Sequence, residues 1–214
     1  MELGGMSEAQ RNECPLERVA MRRVWAMPNH ETFSIKPIKA FVEKHVSGVS
    51  VDPYARDACF ATYTNDMNPG TKAQHHMDAT DFLEMLALNG VVADVVIIDP
   101  PYSPRQVKEC YDSFGHKMKQ GDALLGAIRK KLKAAIVKVL KPGGKVLWFG
   151  WNSVGMGKTL GFELQELMLV CHGSDHNDTI CTMEVKAHNA VLSGAATETT
   201  TECGASPRPP RTRG

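Results

Sequence analysis

The segment that most restricts the fold is Val95-Val96-Ile97-Ile98, an apolar β-branched run that ends abruptly in Asp99-Pro100-Pro101-Tyr102. A run of this kind reads as a strand buried on both faces, and such strands belong to parallel sheets whose crossovers are helices. The flanking sequence carries the matching alternation. Helical periodicity marks Ile35 to His45, through Ile35, Ile38, Phe41 and Val42, then Thr80 to Leu88, entered at Thr80, and Leu124 to Leu140, closed by Lys141-Pro142-Gly143-Gly144. Between these lie strand-like stretches at Gly48 to Pro53, Ala61 to Asn65, Val91 to Ile98 and Lys145 to Phe149. Two more, Phe162 to His172 and Thr179 to Val185, flank the polar Gly173 to Asp178. The pattern predicts an α/β fold: a mainly parallel sheet covered on both sides, with a closing hairpin that sets one antiparallel strand at the edge.

With 214 residues, 43% of them hydrophobic, the chain supports one sizeable core. Residues 1–20 read as a flexible arm, 21–192 as the folded unit, and 193–214, rich in Ser, Gly, Thr and then Pro and Arg, as a disordered tail. Six cysteines are scattered without a close pair, which argues against a disulfide framework and against a zinc site. No metal is expected. The cluster His172, Asp175, His176 and Asp178 reads as a polar hairpin loop over the site rather than as a ligand set. No apolar run approaches a membrane span and no signal-peptide core is visible, so the expectation is a soluble, cytoplasmic protein without a membrane partner.

In an open α/β sheet, ligands sit beyond the carboxyl ends of the strands, which puts chemistry at Asp99 to Tyr102. Two successive prolines remove two backbone donors, leaving a carboxylate and carbonyl oxygens to face a ligand. A group recognised by acceptors is a donor such as an amino group, and Tyr102 adds a face for a planar base. The formal net charge of +1 offers no global attraction to a polyanion, but Arg105 to Lys145 holds eleven Lys or Arg against three acids. Arg105, Lys108, Lys117, Lys119, Lys130 and Lys131 are the candidate phosphate contacts, although a solvated helix face would look the same. Ser103 to Gln120 is expected to be a loop that orders on nucleic acid. Trp148 is assigned to the core, and Trp151 to the neighbourhood of the pocket.

The tetrapeptide resembles the signature of the amino-group methyltransferases acting on adenine or cytosine, and the chain looks most similar to phage and bacterial adenine-specific DNA methyltransferases. Thr32-Phe33-Ser34-Ile35-Lys36-Pro37-Ile38 resembles that family's cofactor-binding segment, Val51-Asp52-Pro53-Tyr54-Ala55 its first-strand motif, Asn65-Asp66 the acid after the second strand, and Asp78-Ala79-Thr80-Asp81-Phe82 its third motif. The resemblance implies a Rossmann-like class I methyltransferase fold and S-adenosylmethionine (SAM) as cofactor. It implies Asp99, Pro100, Pro101 and Tyr102 as catalytic residues, and Phe33, Pro37, Asp52, Tyr54, Asp66, Asp78, Ala79 and Phe82 as cofactor contacts. The implied partner is DNA, single-stranded or with the adenine flipped out of the duplex. Methylation of adenine in RNA, and a weakly catalytic SAM-binding phage factor that blocks restriction, are the alternatives. One departure stands out: where the family has glycine after the first-strand motif, this chain has Arg56. Either the loop takes another path there or the cofactor is held weakly.

Overall fold

The computed structural model describes residues 19–117, 125–173 and 176–188. Residues 1–18 of the expected arm, residues 189–192 of the expected folded unit, the tail at 193–214, and the candidate residues Lys119 and Asp175 lie outside them. Seven strands form one sheet: β1 (Ala20–Trp25), β2 (Ser50–Asp52), β3 (Tyr63–Thr64), β4 (Ala93–Ile98), β5 (Leu140–Gly150), β6 (Phe162–Cys171) and β7 (Thr179–Lys186). Among the described residues, four α-helices accompany it: α1 (Lys36–His45), α2 (Ala79–Leu88), α3 (Pro104–Ser113) and α4 (Leu125–Val139). The strand order is β1-β6-β7-β5-β4-β2-β3.

The β-branched run of β4 does what its composition demands. Val96 and Ile98 point into a core shared with α2 and α4, while Val95 and Ile97 point into a second core shared with α1. All four are fully buried, so β4 is the axis of a sheet sandwiched between helices. The Lys141 to Gly144 turn is absorbed into β5. Leu140 pairs with Ala93, the next four residues bulge out with Gly143 at φ +73°, and pairing resumes at Lys145 opposite Val95.

Three expectations need correction. The antiparallel strand is not at the edge: β7 lies between β5 and β6 and runs antiparallel to both, while β1 extends the sheet parallel to β6. Ala20–Trp25 escaped detection because it buries almost nothing, so it carries no apolar alternation. Finally, Ser103 to Gln120 is not simply a loop, since Pro104–Ser113 forms α3. Ser103 caps it by accepting the Gln106 N–H at 3.2 Å, and Pro104 stands in the first turn. A Ser-Pro-x-Gln start is a legible helix signal.

Candidate active site

The chain steps outward from β2 to β3, then returns to β4 and continues to β5 on the other side, so the direction of winding reverses beside β2 and β4. A crevice opens at such a reversal, beyond the carboxyl ends of the strands. Asp52 ends β2, Asp66 follows β3, and Asp99 follows β4, which brings three carboxylates from adjacent strands to one end of the sheet. Like charges brought together disfavour ionisation, and burial adds to it.

Asp52 is 1% exposed, and its Oδ1 accepts the Tyr54 N–H at 2.9 Å. Burial, reinforced by the charges of Asp99 and Asp66, pushes its carboxyl up to about 8. Asp66 accepts the Asn68 N–H at 2.8 Å on one oxygen and the Arg56 N–H at 3.2 Å on the other. Burial raises its pKa against those two bonds.

Asp99 is half-buried at the head of the Pro100-Pro101 turn. Burial raises its pKa, while hydrogen bonds from Tyr102 and Thr32 and the charge of Arg56 pull it back. The Tyr102 hydroxyl donates to Asp99 Oδ1, and the Tyr102 N–H donates to Gln106 Oε1 at 2.6 Å. The turn is therefore not lined by acceptors alone, because the tyrosine hydroxyl occupies one carboxylate oxygen. Thr32 and Gln106 are additions that the sequence reading did not assign to the site. The first was within reach, since Thr32 opens the segment Thr32–Ser34 that forms a turn of 3-10 helix before α1.

Arg56 resolves the departure at the glycine position. Its φ is +50°, the only positive value at a non-glycine among the described residues. The loop keeps the left-handed conformation in which glycine is normally found. The guanidinium Nη1 donates to the His30 carbonyl at 2.9 Å and so ties the loop to the segment before α1. Arg56→Gly and Arg56→Ala both delete that tie, but only the glycine relieves the backbone. We expect the glycine variant to be the more stable by about 1 kcal/mol in urea denaturation, the reverse of the order seen in helices. Equal midpoints for the two variants would remove the strain argument.

The other cofactor candidates divide. Tyr54 is half-buried at the β2 turn, and Pro37 stands in the first turn of α1. Phe33 packs edge-on against Phe60 and Phe149, with ring centroids 5.8 and 5.3 Å away. Asp78 is exposed and caps α2, its Oδ1 accepting the Thr80 and Asp81 N–H groups at 2.8 and 3.3 Å, so the helix is entered at Asp78 rather than at Thr80. Ala79 is buried, and Phe82 has no exposed surface and lies in the α2–α4 core against the His75 ring. Phe82 offers a ligand no ring face in this conformation.

Arg105 and Lys108 are paired along exposed α3 with Glu109 and Asp112, at 2.7 and 2.5 Å. Lys117 is exposed, as are Lys130 and Lys131 on α4. Beside the Asp99 turn lies a cleft of about 300 Å³ lined by Asn29, Tyr102, Trp151, His172 and Asn177 among others. Tyr102 and Trp151 meet there edge to face, 5.5 Å between centroids. Trp148 is in the core, beneath the Lys133 ammonium. The His172 ring is held between the Ala26 carbonyl and the Thr179 hydroxyl, both at 2.9 Å, which requires Nδ1 to carry the proton. Among the described residues, no three His, Cys, Asp or Glu converge to hold a metal, and no helix is long and apolar enough to cross a membrane.

Neither a family model nor a curated protein matches the sequence. Among solved structures, the chain is similar to SMU.776, a protein classed as a methyltransferase and complexed with SAH. The TM-score is 0.51 and the identity 12%, over 70% of this chain and 48% of that one. TrmN from Thermus thermophilus (TM-score 0.46, 13% identity, 71% and 47% of the two chains) and NSun6 from Pyrococcus horikoshii with SFG (0.45, 12%, 69% and 50%) are more distant. The chain thus spans about half the length of each. The likeness to SMU.776 shows the fold: a Rossmann-like sheet, mostly parallel, with an antiparallel strand inserted.

Proposed function

We propose that this chain is a SAM-dependent methyltransferase that modifies the exocyclic amino group of adenine in nucleic acid, with DNA as the substrate. The observation that carries this reading is the Asp99-Pro100-Pro101-Tyr102 turn at the carboxyl end of β4, one strand from Asp52 and two from Asp66. Three acids, with the Arg56 guanidinium beside them, make a crevice that favours a cationic ligand. SAM carries both an ammonium and a sulfonium, so the donor set fits. Asp66 would hold the ribose hydroxyls, Asp52 and the Tyr54 turn the methionyl end, and the exposed Asp78 the adenine amino group, with Pro37 and Phe33 behind. When bound, SAM supplies an electrophilic methyl group.

The chain's own part is to make a poor nucleophile better. An adenine amino nitrogen has its lone pair delocalised into the ring. If the second oxygen of Asp99 and the Pro100 carbonyl accept its two hydrogens, the nitrogen becomes tetrahedral and its lone pair is released. Tyr102 holds the other Asp99 oxygen, fixing the carboxylate in place. The amino nitrogen must shed a proton as the new bond forms, and Asp99, whose pKa is raised by burial, is placed to take it. Pro101 stiffens the turn, and Tyr102 with Trp151 lines the cleft of about 300 Å³ that would receive the base. A base stacked in a duplex cannot enter it, so the target is flipped or single-stranded. Lys117, Lys130 and Lys131 lie on exposed surface where they can meet phosphates.

The test is transfer of labelled methyl from SAM to single-stranded DNA, duplex DNA and RNA, followed by digestion to nucleosides and mass spectrometry. N6-methyladenosine in its deoxy form is expected. Label in the ribonucleoside would move the substrate to RNA. SAM binding with no labelled nucleoside in any arm would leave a non-catalytic binder.

A further inference from the structure

Helices cover the sheet unevenly. On one face α1 packs against β5 and its neighbours, while on the other α2 and α4 cover β2, β4 and β5. On that second face Phe162 at the start of β6 and Lys186 at the end of β7 meet α4, whereas the opposite ends of β6 and β7, together with β1, line an open cleft. Met21, Arg23 and Trp25 project there from β1, beside Leu169 of β6 and Ile180 of β7. The strand β1 is exposed at five of its six residues, with Met21 at 74% and Trp25 at 67%. An apolar edge this open usually invites pairing or a partner.

The arrangement is specific. The Trp25 ring abuts Gly173, where a Cβ would come within 2.9 Å of the indole, so the absence of a side chain there lets the ring seat. The Arg23 guanidinium lies 5.6 Å from the centroid of the same ring, and its Nε donates to Cys171 Sγ at 3.1 Å. Arg23 and Trp25 therefore present two planar groups, one of them cationic, held by the strand rather than by a loop. Asp178 also lines this cleft, but its Oδ1 accepts the His172 N–H at 3.1 Å. The cleft, about 520 Å³, runs into the one beside Asp99: Trp151, His176 and Asn177 line both.

We propose that the open face of β1, β6 and β7, centred on Trp25 and Arg23, is a stacking platform for single-stranded nucleic acid flanking the target base. This rests on the methyltransferase reading for the role of the Asp99 cleft. A base in that cleft, against Tyr102 and Trp151, leaves its strand at Trp151 and His176, and the next stacking surface is Trp25. Bases stack on aromatic rings and guanidinium planes with little sequence preference, whereas a duplex hides its base faces. The platform thus selects unpaired strand, and the sugar is left undetermined by stacking.

Fluorescence anisotropy of labelled adenine-containing 12-mers, as single-stranded DNA, single-stranded RNA and duplex DNA, tests this on the full chain. Trp25→Ala should weaken both single strands about tenfold or more, Arg23→Ala should weaken them severalfold, and Trp25→Phe should restore most of the affinity. SAM affinity by calorimetry and the melting temperature should stay at wild-type values, because Trp25 is mostly exposed. Unchanged single-strand affinity in Trp25→Ala overturns the platform even if the wild type transfers methyl. A change of sedimentation coefficient in that variant with unchanged affinity overturns it too, and makes the face a self-contact. Trp25-dependent strand binding without methyl transfer by the wild type supports the platform and sinks the methyltransferase reading instead.

Discussion

Asp99→Ala is expected to lower methyl transfer by roughly 10²–10³-fold or more while leaving SAM affinity close to that of the wild type. The separation follows from where the group stands. Asp99 heads the turn whose Tyr102 lines the proposed base cleft, and it is bound by the hydroxyls of Tyr102 and Thr32. Its loss removes an acceptor for the target amine, and Thr32 remains to hold the Tyr102 hydroxyl. Asp66 sits on the other side of the crevice, organised by the N–H groups of Arg56 and Asn68. Asp66→Ala should therefore raise the dissociation constant for SAM, and at saturating cofactor much of the turnover should return. Calorimetry paired with single-turnover transfer distinguishes the two. An equal loss of SAM affinity in both variants would show that Asp99 belongs to the cofactor rather than to the base.

The second large effect belongs to Asp52. Its carboxyl titrates near 8 in the folded chain and near 3.8 when free of the fold. Between those values the folded chain binds one proton more than the unfolded chain, so this group makes stability fall as pH rises, by about 1.4 kcal/mol per unit. From pH 5 to 8 that amounts to a loss on the order of 4 kcal/mol from Asp52 alone. Asp52→Asn keeps an oxygen for the Tyr54 N–H and cannot ionise, so it should flatten the decline and be the more stable protein at pH 8. Urea denaturation at both pH values reads this directly, and parallel pH profiles for the two proteins would discard it. The same proton reports on the ligand. A cation entering the crevice favours the ionised carboxyl, so SAM binding at pH 7 should release up to one proton in the wild type and none in Asp52→Asn. Calorimetry in buffers of different ionisation enthalpy measures the difference.

Much of this was written in local sequence. A β-branched run can be satisfied only by apolar cover on both faces, so Val95 to Ile98 by themselves imply a central parallel strand. The proline pair that stops it implied a rigid, acceptor-bearing turn at the ligand end. Helices α1, α2 and α4 followed from their apolar periods, and α3 was readable from Ser103, Pro104 and Gln106 but was hidden by the charge of its exposed face. Tertiary structure alone decided the rest. Pairing partners are set by long-range hydrogen bonds, so β7 could slip between β5 and β6, and β1 could join an edge while burying too little to leave a pattern. Asp52, Asp66 and Asp99 are far apart in the chain, and only the winding of β2, β3 and β4 gives them a shared field. Arg56 reads as a broken motif, yet its backbone holds the glycine conformation because bonds to Asp66 and His30 secure it. Phe82 was drawn into the core by its place on the buried face of α2. Local sequence carries propensity and burial; convergence depends on which strands become neighbours.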